Sequence, residues 1–184
     1  RGIRGKEISM IFQDPSTSLN PIFKIKDQLV RVILTHQKIG KKKAYEKGVN
    51  LLKSVGLPDS ERLMNSYPFE LSGGMQQRIM IAIAISSNPD LLIADEPTSN
   101  LDVTIQAQIL DLIKKCREET KASVLFITHD FGIVTEMCDR VGVMYAGNMA
   151  EIAPLRELLT NPLHPYTKAL LLSIPTPGKK DRKL

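Results

Sequence analysis

The sequence predicts an α/β fold: a mostly parallel sheet covered by helices, with a helical insert between its first two strands. Three observations lead there. Short apolar runs at residues 7–12, 91–94 and 123–128 have the length and the turn-forming boundaries of buried strands. Helical patterns separate them, and strands alternating with helices build parallel sheets with both faces covered. Each run also leads into side chains that carry chemistry: Gln13 after the first, Asp95 and Glu96 after the second, His129 after the third. Ligands of such sheets lie beyond the carboxyl ends of the strands.

In chain order, the first run is Glu7-Ile8-Ser9-Met10-Ile11-Phe12, stopped by Gln13-Asp14-Pro15 and a Ser/Thr/Asn/Pro-rich segment that reads as loop to Pro21. From Ile25 to about Met64 the spacing turns helical. Leu29, Val30, Ile33 and Leu34 share one face, Tyr45, Val49, Leu52 and Val55 another, and Gly56 with Pro58 stops the second helix. Residues 79–85 place isoleucine at every second position, which is also the pattern of a half-buried strand. A helix is expected there all the same. Ser72 offers a cap, Gln76, Gln77 and Arg78 favour helix, and Asn88-Pro89 supplies a stop. Apolar nearly all round, it should be deeply buried.

Beyond Asp102, the residues Ile105, Ile109, Leu112, Ile113 and Cys116 mark one face of an amphipathic helix. After the 123–128 strand come a short helix to about Met137 and a hairpin of strands 140–145 and 149–152 closed by Gly147-Asn148. Two short helical pieces flank Asn161-Pro162-Leu163-His164-Pro165-Tyr166, and the polar end reads as frayed.

A chain of 184 residues holds one domain with a core, with room for a small insert. No run approaches the roughly 18 apolar residues of a membrane span, and no charged-then-apolar leader is visible, so a cytosolic protein is expected. Cys116 and Cys138 have no metal-ligand spacing around them and read as reduced core or boundary residues inside helices. The net charge of +5 draws on Lys41-Lys42-Lys43 and the 179–183 tail, which read as solvated runs, so no nucleic-acid partner is expected. The chain opens at Arg1 without Met and enters a strand almost at once, which reads as the interior of a longer protein.

Two stretches offer phosphate chemistry. Ser72-Gly73-Gly74 opens a helix, where glycines admit a close ligand and the free N–H groups and dipole favour an anion. Asp95-Glu96 ends an apolar strand with adjacent carboxylates, able to give one acid to Mg²⁺ and another to an attacking water.

Leu-Ser-Gly-Gly-Met-Gln-Gln-Arg at 71–78, Leu-Leu-Ile-Ala-Asp-Glu-Pro-Thr at 91–98, Asn-Leu-Asp at 100–102 and Thr-His-Asp at 128–130 together resemble the motor domain of ATP-binding cassette (ABC) transporters, over practically the whole chain. The resemblance implies a partial P-loop NTPase core of ABC type with a helical signature subdomain. Its parts would be a Q-loop strand and loop at 1–16, the helical subdomain at 17–88, a core with Walker B, D-loop and switch histidine at 89–153, and an importer-type tail at 154–184. Glu96, His129 and Gln13 would be catalytic: Glu96 orienting the water, His129 touching the γ-phosphate, Gln13 sensing metal and nucleophile. Asp95, with Gln13, would hold the metal. Ser72, Gly73, Gly74, Gln76 and Asp102 would serve ATP binding, the signature residues facing the ATP of a second subunit.

The implied cofactors are therefore ATP and Mg²⁺. The implied partners are a second ATPase subunit, identical or related, joined head to tail, transmembrane permease subunits that meet the helical insert, and indirectly a substrate-binding protein. The implied place is the cytoplasmic face of the inner membrane. Met75, the 102–108 run and the 161–170 tail resemble the ATPase subunits of bacterial oligopeptide, dipeptide and nickel importers, with peptide the preferred cargo.

One departure matters. No G-x-x-x-x-G-K-[ST] occurs in these residues, although in the family that loop precedes the Q-loop. Without its N–H groups and Lys little holds the β- and γ-phosphates. The strand leading into it would lie between those at 123–128 and 140–145, so unpaired edges are expected there, and the 184 residues alone should be poorly stable and inactive. The leading reading is the carboxyl-terminal part of an importer ATPase. Its rivals are a naturally shortened, non-catalytic partner offering its 72–74 face, and a soluble cassette ATPase of DNA repair or translation, against which the tail argues.

Overall fold

The computed structural model describes residues 2–99 and 101–174; Asn100, the 179–183 basic run and the end expected to fray lie outside them. The chain divides into two compact units, Arg1–Ile127 and Thr128–Leu184.

In the first unit, β1 (Ile8–Ile11), β2 (Leu91–Asp95) and β3 (Ser123–Ile127) form a parallel sheet in that order. Ile8 lies opposite Leu91 and Leu91 opposite Ser123, so the carboxyl ends of all three strands finish along one side. Strand alternation then sorts the side chains. Ser9, Ile11, Leu92 and Ala94 are buried on one face, whereas Leu125 and Ile127 of β3 remain 51% and 44% exposed. Among the described residues β3 pairs with β2 alone, which leaves its other edge open.

The stretch after β1 differs from the expected loop. Residues Pro15–Ser18 form a one-turn helix, α1, because Asp14 caps it: the Ser16 N–H donates to Oδ1 at 2.8 Å and the Ser16 hydroxyl at 2.7 Å. Those bonds hold the Asp14 carboxyl below its usual value. An Asp cap followed by Pro at the first helical position is the signal for it in the sequence.

The insert is helical, and of the residues expected to share its faces Val30, Leu34 and Tyr45 are half-buried. It comprises α2 (Ile25–His36), α3 (Lys41–Ser54) and α4 (Ser60–Met64), with Ile25, Leu29, Ile33, Val49, Leu52 and Val55 buried. Residues Gly73–Ile85 form α5, a helix and not a strand. Ile79, Met80, Ile81, Ala82, Ala84 and Ile85 are all buried, because β1, α1, α2, α3 and α6 (Val103–Thr120) surround it. Covering on every side is what a helix without a polar face requires.

Arg78 on α5 fixes its neighbours in place. Nη1 donates to the Val55 carbonyl at the end of α3, and Nη2 to Gln108 on α6, each at 2.8 Å. Gly56 makes room for this, at a φ of +79° and with an added Cβ falling 2.8 Å from the same Nη1. α6 buries Ile109, Leu112, Ile113 and Cys116 as its spacing predicts, and burial, with a smaller push from Glu119, raises the Cys116 thiol to about 11.

The second unit carries α7 (Phe131–Met137), an antiparallel hairpin of β4 (Arg140–Tyr145) and β5 (Asn148–Pro154), α8 (Leu155–Thr160) and α9 (Pro165–Leu172). Its turn lies one residue earlier than expected. Ala146 and Gly147 take the positive φ values of 48° and 78°, while Asn148 already pairs with Tyr145. Cys138 caps the end of α7 instead of lying inside a helix. Glu151 on β5 accepts the N–H groups of Leu163 at 2.9 Å and His164 at 3.0 Å, anchoring the start of α9 and holding its carboxyl below the usual value. No helix among the described residues is long and apolar enough to cross a membrane.

Gly56→Ala is expected to lower stability by about 1–3 kcal/mol, the scale of a strained left-handed backbone, since both the φ and the Arg78 contact oppose a Cβ. Urea unfolding followed by circular dichroism checks this, and an unchanged midpoint would show that the turn absorbs the methyl.

Candidate functional site

The site grows from the end of β2. Glu96, the residue after Asp95, turns the chain with a φ of +42°. A non-glycine residue holds such a conformation only where its surroundings impose it. Here the Glu96 N–H donates to the Ile127 carbonyl of β3 at 2.9 Å, and Ser99 returns its N–H at 3.1 Å and its hydroxyl at 2.9 Å to the Glu96 carbonyl. The Ser99 hydroxyl also lies 3.3 Å from the Gln13 carbonyl, and from α5 the Gln77 amide donates to the Pro97 carbonyl at 2.6 Å. The turn is tied on three sides.

This turn presents the Glu96 carboxylate to Gln13. Nε2 of Gln13 donates to Oε2 of Glu96 at 3.0 Å, across 83 positions of sequence. Gln13 is exposed, and Asp95 and Glu96 are half-buried, so water and ligands reach all three.

The other glycine-bearing corner is made by two helix starts. Ser72 caps α5, its Oγ accepting the Met75 N–H at a long 3.4 Å, and Asp102 caps α6, its Oδ1 accepting the Ile105 N–H at 2.9 Å. The two glycines differ. A Cβ on Gly74 would lie 3.1 Å from Cγ2 of Ile105, so this glycine lets the first turns of α5 and α6 approach. A Cβ on Gly73 would meet nothing within 4 Å among the described residues, and the residue is exposed. Nothing among the described residues calls for glycine there.

Gln76 is turned to another task. Its amide donates to the carbonyls of Pro68 at 2.9 Å and Leu71 at 3.1 Å, bracing the turn that leads into α5. His129 belongs to the second unit, two residues after β3 ends, and is exposed. Its neighbour Asp130 caps α7 by accepting the Gly132 N–H at 2.7 Å. Gln77 is the residue that sequence reasoning misses. A polar residue on a helix apolar all round must find a buried partner, and that is the signal that could have found it.

Among the described residues no three His, Cys, Asp or Glu converge into a metal cage. The donors at the end of β2, Asp95 and Glu96 with the Gln13 amide alongside, are hard oxygen groups of limited number. Such a set suits Mg²⁺, which keeps waters and shares its shell with phosphate.

Residues 1–99 of the 184 match the ABC transporter family. The chain belongs to the ABC transporter family. Residues 150–184 match, separately, the oligopeptide/dipeptide transporter C-terminal region. Among curated relatives, this ABC chain is 54% identical over 175 residues to the dipeptide transport ATP-binding protein DppD of Bacillus subtilis, covering 95% of the chain and 52% of that protein. With the oligopeptide transport ATP-binding protein OppD of the same organism it shares 53% identity over 176 residues, covering 96% and 49%. The chain spans about half the length of the curated relatives it matches. Among solved structures it superposes on a dimeric post-hydrolysis state of the ATP-binding cassette MJ0796 bound to ADP and phosphate, with TM-score 0.72 and 29% identity over 84% of this chain and 66% of that one. The parallel sheet with its helical insert is the ABC ATPase fold.

Asp102→Ala is expected to cost about 1 kcal/mol through loss of the α6 cap. Chemical denaturation measures it, and no change would mean that water replaces the cap.

Proposed function

We propose that residues 1–184 form part of the ATP-hydrolysing subunit of an importer that drives peptides across the bacterial inner membrane. The observation that carries the reading is the Gln13–Glu96 hydrogen bond of 3.0 Å at the carboxyl ends of β1 and β2. Its bringing together of a carboxylate and an amide supports a water-orienting role for Glu96 and a metal-sensing role for Gln13. Relatives named for dipeptide and oligopeptide transport support the cargo.

The chain's own residues then divide the work. Glu96 accepts a hydrogen bond from the attacking water and polarises it. Asp95 would hold Mg²⁺ through water, with the Gln13 amide oxygen available to the same ion while its Nε2–H donates to Glu96. Mg²⁺, when bound, neutralises charge on the β- and γ-phosphates. His129 donates to the γ-phosphate, a role assigned from its motif. Ser72, Gly73 and the uncapped N–H groups of α5 receive the γ-phosphate of the ATP held by a facing subunit, and the open space over Gly73 fits that approach. Asp102 acts through its cap at the same corner, while Gln76 braces the turn behind it.

The active unit is a head-to-tail dimer, identical or mixed, whose helical inserts meet permease subunits at the cytoplasmic face of the membrane. A substrate-binding protein delivers cargo on the other side. The phosphate loop is not among these residues, so the pieces present fit the metal, the water and the opposing signature contact, and not the cradle of the subunit's own ATP.

In the longest native chain that carries this sequence, Glu96→Gln is expected to lower ATP turnover by about 100-fold or more, the usual scale for a general base, while ATP binding followed by a fluorescent analogue persists. Turnover within tenfold of wild type would remove Glu96 from the reaction. Residues 1–184 purified alone are expected to show no magnesium-dependent phosphate release, and robust release would mean that the phosphate loop is dispensable for hydrolysis.

A further inference from the structure

We propose that Gln77 is a positioning residue for Glu96, tying the signature helix α5 to the turn that carries the carboxylate. The inference rests on the functional reading above and adds a residue that reading does not use.

Gln77 is 1% exposed, on a helix whose remaining buried positions are aliphatic. A carboxamide in such surroundings opposes folding unless it is hydrogen bonded. Its partner is the Pro97 carbonyl, 2.6 Å from Nε2 and 20 positions away in sequence. That carbonyl belongs to the residue directly after Glu96. Glu96 has two reasons to leave its conformation: a φ of +42°, and a following proline that narrows its backbone further. The turn cannot rest on its own preferences and is held from outside.

Three holds are seen among the described residues. The β3 edge takes the Glu96 N–H, Ser99 closes the turn on itself and reaches the Gln13 carbonyl, and Gln77 takes the Pro97 carbonyl. Of these ties, the Gln77 bond alone comes from α5. Ser72, which caps α5, lies five positions ahead of Gln77, less than a turn and a half of helix. A shift of the signature end can therefore reach the Glu96 turn through this buried bond. The face proposed to meet a facing subunit's ATP and the carboxylate proposed to act on the subunit's own ATP are mechanically joined within one chain.

The experiment compares wild type with Gln77→Met, which keeps side-chain length and removes the donor, in the longest native chain that carries residues 1–184. Two readouts are taken: steady-state ATP hydrolysis, and amide hydrogen exchange by mass spectrometry without nucleotide. The expected result is a kcat lowered tenfold or more with the KM for ATP within twofold, and exchange across residues 95–99 faster by tenfold or more while 79–85 stay protected. Ser99→Ala, which removes one hydroxyl from the half-buried turn, should move kcat and the 95–99 exchange in the same direction and leave KM alone. Unchanged exchange at 95–99 in Gln77→Met overturns the proposal, as does an unchanged kcat. Exchange that rises equally across 79–85 also overturns it, because Gln77 would then only be filling the core. Should the wild type hydrolyse no ATP, the functional reading fails, and the exchange comparison still decides whether Gln77 holds the turn.

Discussion

Burial of α5 is the constraint on which the first unit is built. A helix that is apolar on every side stabilises a fold only when every side is covered, and each buried isoleucine contributes on the order of 2 kcal/mol once it is. The chain meets this by laying β1 against the helix and arranging α1, α2, α3 and α6 around it. The helical insert and the sheet are thereby packed on one shared element. Arg78 adds direction to that packing, since its guanidinium joins the end of α3 and the side of α6 to the helix between them. Hydrophobic burial sets how much is gained, and the charged fork sets which arrangement gains it.

The site follows from the same economy of parts. Most of the side chains proposed to meet ligands in the first unit lie at the ends of elements: Gln13 and Glu96 just beyond strands, Asp95 as the last residue of β2, and Ser72 and Asp102 just before helices. Positions of that kind are exposed enough to meet a ligand and close enough to regular structure to be held still. The backbone strain of Glu96 is carried by β3, Ser99 and Gln77 together, so the carboxylate's place depends on three different parts of the chain.

Much of this is legible in the sequence, for physical reasons. Strand and helix periods place β1, β2, β3, α2, α3 and α6 because each has a clear boundary and a one-sided or short apolar pattern. The 79–85 run is ambiguous by period, and its caps, Ser72 and Asn88-Pro89, decide it. The motif residues are legible as a set, whereas the bond between Gln13 and Glu96 is not, since nothing local relates positions 83 apart. Gln76 and Gln77 show the limit most clearly. They are adjacent and chemically identical, yet one braces the preceding turn and the other crosses to Pro97, and only the helical phase of each around α5 separates them. The hairpin turn slips by one residue because Ala146, not Asn148, takes the left-handed position beside Gly147.

The alternating isoleucines of α5 have a consequence for the chain before it folds. Residues 79–85 hold no proline, no glycine and no charge, and at period two they would present a continuous aliphatic ridge to an identical neighbour, the composition of a cross-β segment. The native fold breaks that ridge by winding it into a helix and burying Ile79, Ile81 and Ile85, with Ile83 half-buried. Chains that linger before α5 finds its cover expose a stretch suited to stacking with its own copies. The feature that anchors the native core is thus also a hazard during synthesis and refolding, and rapid assembly of the surrounding helices protects as well as stabilises.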